Sequence, residues 1–241
     1  MKKIILVLCL FVLVGCSGNY IPATEEIPTQ TEYRILWVGN SHSRTGDLPR
    51  QFSEIVMMHG VIVRFSTIFQ DGTTLSDLAD RVFLQLQENQ YDYVILQDWG
   101  SRCCSDAEDF LYDIRRLSAA AHDAGTIPVL FNPPFKYQDD WPNMDYQRAM
   151  TAGHENAAAL YDALFVDVAM AWAYAKEKHP ELDLWQYGGH HASRRGSFFT
   201  ASVFASTLFN IHVTEVSIVA VYSSDYVEKL GLAAWEFVTQ P

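Results

Sequence analysis

One serine is placed where it could act as a nucleophile. The apolar segment Ile35–Val38 is followed by Gly39-Asn40, and Ser41 comes directly after. A serine hydroxyl attacks a carbonyl carbon when a neighbouring base accepts its proton and other donors stabilise the charge on the carbonyl oxygen. We predict that Ser41 is such a nucleophile, and the alternative is that it is only a turn residue or a helix cap.

Two histidines are candidates for the base. Most of the eight histidines of the chain lie in or beside predicted helices. His190 and His191 differ because they occupy a Gly-Gly-His-His-Ala-Ser loop directly before a predicted helix. The base can come from any part of a sequence, since only its position relative to the hydroxyl matters. We interpret His191 as the base, although it could be a surface histidine, and His190 as a neighbour that lines the cleft. An exchange of roles between the two stays open.

The elements that must position these residues follow a repeating strand-and-helix pattern. Apolar segments without alternating polar positions predict strands that are buried on both faces. These segments are Tyr33–Val38, Val61–Phe69, Tyr93–Leu96, Ile127–Phe131 and Leu164–Val168. Amphipathic helices separate them, which indicates an α/β fold with a mostly parallel sheet covered on both faces. Ligands bind at the carboxyl ends of the strands in such sheets, and Ser41 lies at one of these ends.

The predicted helices have recognisable starts and stops. We expect Asp47 to cap a helix that has Pro49 in its first turn and ends at Gly60. The other predicted helices span about residues 74–89, 106–124, 144–162, 169–178, 196–209 and 225–237. Cys103 and Cys104 fall between two predicted elements and are interpreted as loop residues.

The first residues of the chain resemble a bacterial lipoprotein signal. Two lysines precede the apolar segment 4–14, which is too short for a helix that spans a bilayer comfortably. The segment Leu-Val-Gly-Cys that ends at Cys16 resembles a lipobox. This resemblance implies cleavage before Cys16 and the attachment of lipid, such as palmitate, to that residue. An ordinary secretory signal is the alternative.

The same resemblance divides the chain into three parts. Residues 1–15 are expected to be the signal peptide, residues 16–31 a polar tether, and residues 32–241 one domain. The lipid on Cys16 would anchor the protein to a membrane of the bacterial cell envelope. The outer membrane is favoured over the inner one because Ser17, rather than an aspartate, follows the cysteine.

Charge and composition exclude several classes of protein. The 241-residue chain has 17 basic and 29 acidic side chains and a formal net charge of −12. Because nucleic-acid binding requires clustered basic residues, we predict no nucleic-acid partner. The sequence has no HExxH motif, no zinc-type cysteine spacing and no glycine-rich phosphate loop. We therefore expect neither a metal nor a cofactor.

Four segments resemble, in order, the sequence blocks of the SGNH (GDSL-like) hydrolases. GNS at 39–41 resembles the first block, and Gly72 lies where the second block has its glycine. DYVILQD at 92–98 resembles the third block, and HAS at 191–193 with the GSFF that follows resembles the segment around the catalytic histidine. The resemblance covers about residues 33–210. It implies a three-layer α/β/α sandwich of flavodoxin-like architecture.

The resemblance also implies roles for individual residues. Ser41 is the nucleophile of a Ser–His hydrolase, and His191 is its base. The expected oxyanion donors are the backbone N–H groups of Ser41 and Gly72 and the side-chain amide of Gln97, which replaces the more usual asparagine. Four further side chains are expected to line the substrate cleft: Asn40, His42, Asp98 and His190.

A second position, besides Gln97, departs from the family pattern. The family has an aspartate three residues before the histidine, and Gly188 stands there in this chain. Asp183 is one candidate for the missing acid, and a backbone carbonyl that orients a Ser–His dyad is another. A misoriented base can lower the rate about 10⁴-fold, so this departure bears directly on activity.

The leading hypothesis is a lipid-anchored serine esterase that removes small acyl groups, with acetyl esters of carbohydrates as the expected substrates. A rim suited to a sugar ring could come from aromatic residues that otherwise only anchor loops: Trp99, Phe135, Trp141 and Trp185. One alternative is a catalytically impaired lipoprotein that binds glycans on the same scaffold. Another is a structural or interaction lipoprotein of an envelope assembly.

Overall fold

Five parallel strands form the centre of the computed structural model, which describes residues 31–136, 141–213 and 224–240. The strands are β1 (Thr31–Gly39), β2 (Val61–Phe69), β3 (Tyr93–Leu96), β4 (Ile127–Asn132) and β5 (Leu164–Asp167). Their order across the sheet is β2-β1-β3-β4-β5, and every pair of neighbours is parallel. The predicted parallel sheet is therefore confirmed.

Helices cover both faces of the sheet. In the described ranges they are α1 (Ser41–Arg44), α2 (Leu48–Met58), α3 (Leu75–Glu88), α4 (Arg102–Ser105), α5 (Ala107–Asp123), α6 (Met144–Leu160), α7 (Val168–Lys178), α8 (Arg194–Phe209) and α9 (Ser224–Thr239). Helices α2, α7, α8 and α9 pack on one face, and α3, α5 and α6 pack on the other. This is the predicted three-layer α/β/α architecture.

Strand β1 shows why its sequence lacks alternating polar residues. Ile35 and Trp37 point into the core on one face of the sheet, while Leu36 and Val38 point into the core on the other. All four side chains are fully buried. The covered part of a strand in the middle of a parallel sheet has no solvent-exposed side, so apolar residues occupy every position from Ile35 to Val38, whereas Glu32 and Arg34 at the amino end are exposed. The strand ends at Gly39 and so delivers Ser41 to the carboxyl edge of the sheet, where its side chain is half-buried.

Thr74 caps the predicted helix after β2, whereas the predicted cap of α2 is wrong. Thr74 and Asp77 form a reciprocal capping box at the start of α3. Asp47 precedes α2, but it makes no side-chain capping bond and instead forms an ion pair with Arg50. An N-cap residue normally has an extended backbone, whereas Asp47 is left-handed with φ 61°. Its carboxylate is therefore not directed at the free N–H groups of the helix.

The interpretation of the paired cysteines as loop residues is also wrong. Cys103 and Cys104 lie in α4, a four-residue helix that is too short to produce a periodic sequence pattern. Both are free thiols, and their sulfur atoms are 3.7 Å apart.

The predicted amino-terminal segments lie outside the described residues, apart from Thr31, which begins β1. In the part of the chain that the structure describes, no helix is long and apolar enough to cross a membrane. The same residues contain no group of three or more His, Cys, Asp or Glu side chains that could hold a metal ion.

Candidate active site

The structure brings together the two residues on which the sequence hypothesis depends. Nε2 of His191 lies 2.9 Å from Oγ of Ser41, although the two residues are 150 positions apart in the chain. Both side chains are half-buried, so the hydroxyl is neither sealed in the core nor fully solvated. This distance is within the range over which a base accepts a proton from a nucleophile.

A buried hydrogen-bond network fixes the backbone around Ser41. The side-chain carbonyl of Gln97 accepts hydrogen bonds from the Asn40 N–H at 3.0 Å and from the Ser43 hydroxyl at 2.9 Å. Glycine is required at position 39 because a Cβ there would lie 2.5 Å from Oε1 of Gln97. The residue after β3 thus holds the start of α1 against the neighbouring strand.

The loop that carries Gly72 is fixed beside the same turn. The Gln70 N–H donates to the last carbonyl of β1 at 3.1 Å, and Nδ2 of Asn40 donates to the Thr73 carbonyl at 3.1 Å. Gly72 lies between these two anchors, is exposed, and has φ 71°. Ser41 begins α1, and N–H groups in a first helical turn have no partner inside the helix. The predicted oxyanion roles of these two backbone donors stay predictions.

Gln97 has a structural role in addition to the predicted one. Its side chain is only 1% exposed, its carbonyl has two donors, and its amide nitrogen donates to the Asp98 carbonyl. A carboxamide nitrogen carries two hydrogens, so one remains for a further acceptor. The oxyanion role of Gln97 therefore stays a prediction, whereas its support of the turn before Ser41 is observed.

A short hairpin places His191. The Gln186 N–H donates to the His191 carbonyl at 2.9 Å, and the Ser193 N–H donates to the Leu184 carbonyl at 2.8 Å. The tip contains the two glycines of the sequence loop, whose φ angles of 90° and 77° are readily adopted only by glycine. Pairing along this hairpin and the start of α8 fix the backbone on both sides of the imidazole.

The structure does not bring the Asp183 carboxylate to His191. Asp183 is exposed, and its Oδ1 accepts the Trp185 N–H at 3.3 Å. Among the described residues, no carboxylate forms an ion pair or hydrogen bond with the His191 ring. The described geometry is therefore that of a Ser–His dyad, and the role of Asp183 as the third member stays a prediction.

His42 borders the base as a neutral group. Its ring centroid lies 5.5 Å from that of His191. Burial lowers the pKa of His42 to about 4, and the nearby charges of His191 and His190 lower it further. His42 therefore carries no charge near neutral pH. His190 is exposed in the same hairpin, and contact of either residue with a substrate stays a prediction.

Asn40 and Asp98 have structural partners. Oδ1 of Asn40 caps α1 by accepting the His42 N–H at 3.1 Å. Asp98 accepts the Leu75 N–H at the start of α3 at 3.0 Å and pairs with Arg102 at 2.7 Å. Both side chains are 2% exposed. Their predicted contact with substrate stays a prediction, and their observed effect is to hold loops together at the edge of the sheet.

The aromatic residues fall into two groups. Trp141 and Trp185 pack edge-on at 5.1 Å, Trp185 packs against Trp172 at 4.8 Å, and Trp185 is only 9% exposed. Phe135 is half-buried against Tyr146. These residues anchor loops, whereas Trp99 is 43% exposed after β3 and remains available to a ligand.

Sequence reasoning missed two contacts that support the site. Ser43 is fully buried and accepts a hydrogen bond from Nε1 of Trp37 at 3.1 Å. Nε of Arg44 donates to the Asp71 carboxylate at 3.0 Å, which joins α1 to the loop of Gly72. The Arg44 hydrogen bond lowers the pKa of Asp71, and His191 adds a smaller effect. Had the segment after Asn40 been interpreted as a helix, Ser41 and Ser43 would have been expected on different sides of it, one facing the site and the other the core.

Known structures share this fold. A DUF4886 family protein from Bacteroides uniformis matches with a TM-score of 0.73 at 14% identity over 86% of this chain and 95% of that chain. A provisionally assigned SGNH hydrolase from Slackia heliotrinireducens matches with a TM-score of 0.62 at 24% identity over 74% of this chain and 100% of that chain. A catalytic mutant of Axe2, an acetylxylan esterase from Geobacillus stearothermophilus, matches with a TM-score of 0.55 at 15% identity over 73% of this chain and 94% of that chain. No protein-family model and no curated protein matches the chain. The structural matches confirm the resemblance to SGNH hydrolases at the level of the fold.

Proposed function

We propose, on the premise of an SGNH-hydrolase fold, that this protein is a serine esterase that hydrolyses small acyl esters, with acetyl esters of carbohydrates as its substrates. The observation that carries the proposal is the 2.9 Å contact between Ser41 Oγ and His191 Nε2 at the carboxyl edge of the sheet. The acetylxylan esterase among the structural matches supports a carbohydrate ester as the substrate class.

The chemistry follows from these positions. His191 accepts the Ser41 proton as Oγ attacks the ester carbonyl carbon, and negative charge develops on the carbonyl oxygen. The N–H groups of Ser41 and Gly72 and the free amide hydrogen of Gln97 are the proposed donors to this oxygen. Collapse expels the sugar alcohol, which takes the proton from His191 and leaves an acyl-serine. Water, deprotonated by His191, then attacks the carbonyl carbon of the acyl-serine; the bond to Oγ breaks, Ser41 takes the proton back from His191, and the carboxylic acid is released.

The competing proposal is a glycan-binding protein that has lost catalysis. Gly188 stands where the family has an aspartate, and this favours the binding protein, because among the described residues no carboxylate pairs with the imidazole of His191. The paired hairpin around His191 favours hydrolysis, because it restrains the base through the backbone. A binding protein would have no need of a hydroxyl and an imidazole in contact.

Hydrolysis of a chromogenic acetyl ester tests the proposal. We expect Ser41→Ala and His191→Ala each to lower kcat by at least about a thousandfold, since members of a catalytic pair act as a unit. Ser76→Ala, which removes an exposed hydroxyl on α3, is the matched control and should keep the wild-type rate. Equal rates in the wild type and Ser41→Ala would reject the esterase. Glycan binding without turnover in the wild type would favour the binding protein.

The amino-terminal sequence is the basis for a proposal about where the protein is located. We propose that Cys16 carries lipid, which anchors the protein in the outer membrane of the bacterial cell envelope. Expression with a palmitate analogue suitable for labelling should give a labelled membrane-bound protein, and Cys16→Ser should be unlabelled. A labelled Cys16→Ser protein would reject this anchor.

A further inference from the structure

One lysine, Lys136, lies against the hairpin that carries His191 and has no counterion among the described residues. Nζ of Lys136 is 5.2 Å from the ring centroid of Trp185, which belongs to the hairpin that carries His191. Among the described residues, no carboxylate or other acceptor pairs with this ammonium group, although the chain has a net charge of −12. Lys229, by contrast, pairs with Asp225 at 3.2 Å.

The hairpin is shaped to receive this lysine. A Cβ at Gly189 would lie 2.3 Å from Nζ of Lys136, so the absence of a side chain at this position makes room for the ammonium group. Gly189 is two residues before His191. Lys136 itself follows β4 at the carboxyl edge of the sheet, the same edge that carries Ser41. The cation therefore lies against the hairpin that positions His191, on the side of the sheet that carries Ser41.

The part of the chain that the structure describes supplies no hydrogen-bond acceptor to the Lys136 ammonium group. The side chain is half-buried, which removes part of the water that would hydrate its charge. The face of Trp185 compensates for some of this loss through a cation–π contact. An ammonium group has three donors, and an anionic ligand would supply the acceptor that the described protein residues do not.

We infer that Lys136 forms an anion subsite beside Ser41 and His191 and selects acyl esters of acidic sugars, whose uronic carboxylate pairs with its ammonium group. This inference rests on the proposed esterase and names its substrate class more closely. The carboxylate on Lys136 would fix the sugar ring relative to the hairpin and hence to the nucleophile. A neutral sugar would lack this contact.

Binding to Ser41→Ala tests the subsite independently of turnover. Titrations followed by NMR would compare glucuronate with glucose and galacturonate with galactose. We expect each uronate to bind at least about tenfold more tightly than its neutral partner, since an ion pair with a carboxylate is worth at least that factor when partly desolvated. The preference should weaken as salt is raised.

Variants of the lysine separate the subsite from general electrostatics. In the Ser41→Ala background, Lys136→Gln should abolish the preference and Lys136→Arg should keep most of it. Lys178→Gln is the matched control, because Lys178 also lies over an aromatic ring, 5.4 Å from the Tyr174 centroid on α7. Equal affinity for uronates and neutral sugars, or a preference that survives in Lys136→Gln, would overturn the inference.

Two further outcomes distinguish the alternatives. If inorganic phosphate binds at Lys136 more tightly than either uronate, the commitment to a carboxylate is overturned and a phosphorylated ligand takes its place. If uronates bind through Lys136 while the wild type hydrolyses no acyl ester, the esterase is rejected and the subsite stands.

Discussion

At the scale of single residues, the site is defined by how the base is held. In a Ser–His–Asp triad, the carboxylate fixes the tautomer and orientation of the imidazole. Here the described residues give His191 a paired hairpin backbone and a neutral neighbour, His42. Backbone restraint fixes the position of the ring, but it does not stabilise the positive charge that forms when the base takes a proton. The dyad is thus expected to be slower than a complete triad.

Position 188 offers a test of whether an aspartate three residues before His191 would act as the acid of a triad. A Cβ built at Gly188 meets no described residue within 4 Å, so an aspartate side chain would begin in space that the described residues leave open. Gly188 also has φ 90°, which other residues adopt only with strain. We expect Gly188→Asp and Gly188→Ala to lose the same amount of stability, about 1–3 kcal/mol, because both carry the same backbone strain. We also expect equal kcat, because the carboxylate would not reach His191 from this position. The checks are urea unfolding and chromogenic ester hydrolysis.

Gly188→Ala is the control for strain, because it has the same backbone cost without a carboxylate. A kcat at least tenfold higher in Gly188→Asp than in Gly188→Ala would contradict this expectation. It would show that a carboxylate from this position does reach His191.

At the scale of elements, a buried ion network joins the segments behind the site. Nη1 of Arg102 in α4 lies 2.7 Å from the carboxylate of Asp98 after β3 and 2.7 Å from that of Asp113 in α5. Asp98 also caps α3 by accepting the Leu75 N–H. Burial raises the pKa of Asp98, while Arg102 and the N–H groups of Leu75 and Trp99 oppose the shift. Three helices and the loop next to Gln97 therefore depend on one guanidinium group.

Removal of this guanidinium group should be costly. Arg102→Met leaves the buried carboxylate of Asp98 without a charged partner, and breaking a buried pair in this way costs about 3–5 kcal/mol. Asp113 retains Arg116 as a partner at 2.7 Å. The measurement is the free energy of unfolding in urea. Arg148→Met removes an exposed pair with Asp145 and should cost less than about 0.5 kcal/mol. A similar loss in the two variants would contradict a special role for Arg102.

At the scale of the whole molecule, the parts that followed from sequence are those with a repeating physical cause. Burial on both faces makes the segment Ile35–Val38 of β1 uniformly apolar, and residues such as Thr74 mark helix starts, so the layers could be predicted. The contacts that support the site could not be predicted from the sequence. The contact of Ser43 with Gln97 and that of Lys136 with the hairpin join residues that are far apart in sequence. Such contacts depend on the packing of loops and have no periodic signal.

The free energy of unfolding of the whole domain should depend on pH, because one histidine, His154, is buried in its core. His154 in α6 is buried against Phe110, with ring centroids 4.9 Å apart, and its Nδ1–H donates to the Met150 carbonyl at 2.9 Å. Burial lowers its pKa to about 4, although the Met150 hydrogen bond opposes the shift. In the unfolded chain the pKa of histidine is about 6.5. As the pH falls below about 6.5, the unfolded state therefore takes up the proton first, and stability is lost until the pH reaches about 4.

A variant isolates this effect from other titrating groups. His42, whose pKa is also lowered, likewise reduces stability as the pH falls. Asp167, whose pKa burial raises to about 6, increases stability as the pH falls. All other groups are shared by the wild type and His154→Phe, so their contributions cancel in the comparison. Between pH 7.5 and pH 5, the wild type should lose about 2 kcal/mol more of its free energy of unfolding than His154→Phe, measured in urea. If both proteins lose the same amount, His154 takes up a proton in the folded state as easily as in the unfolded one.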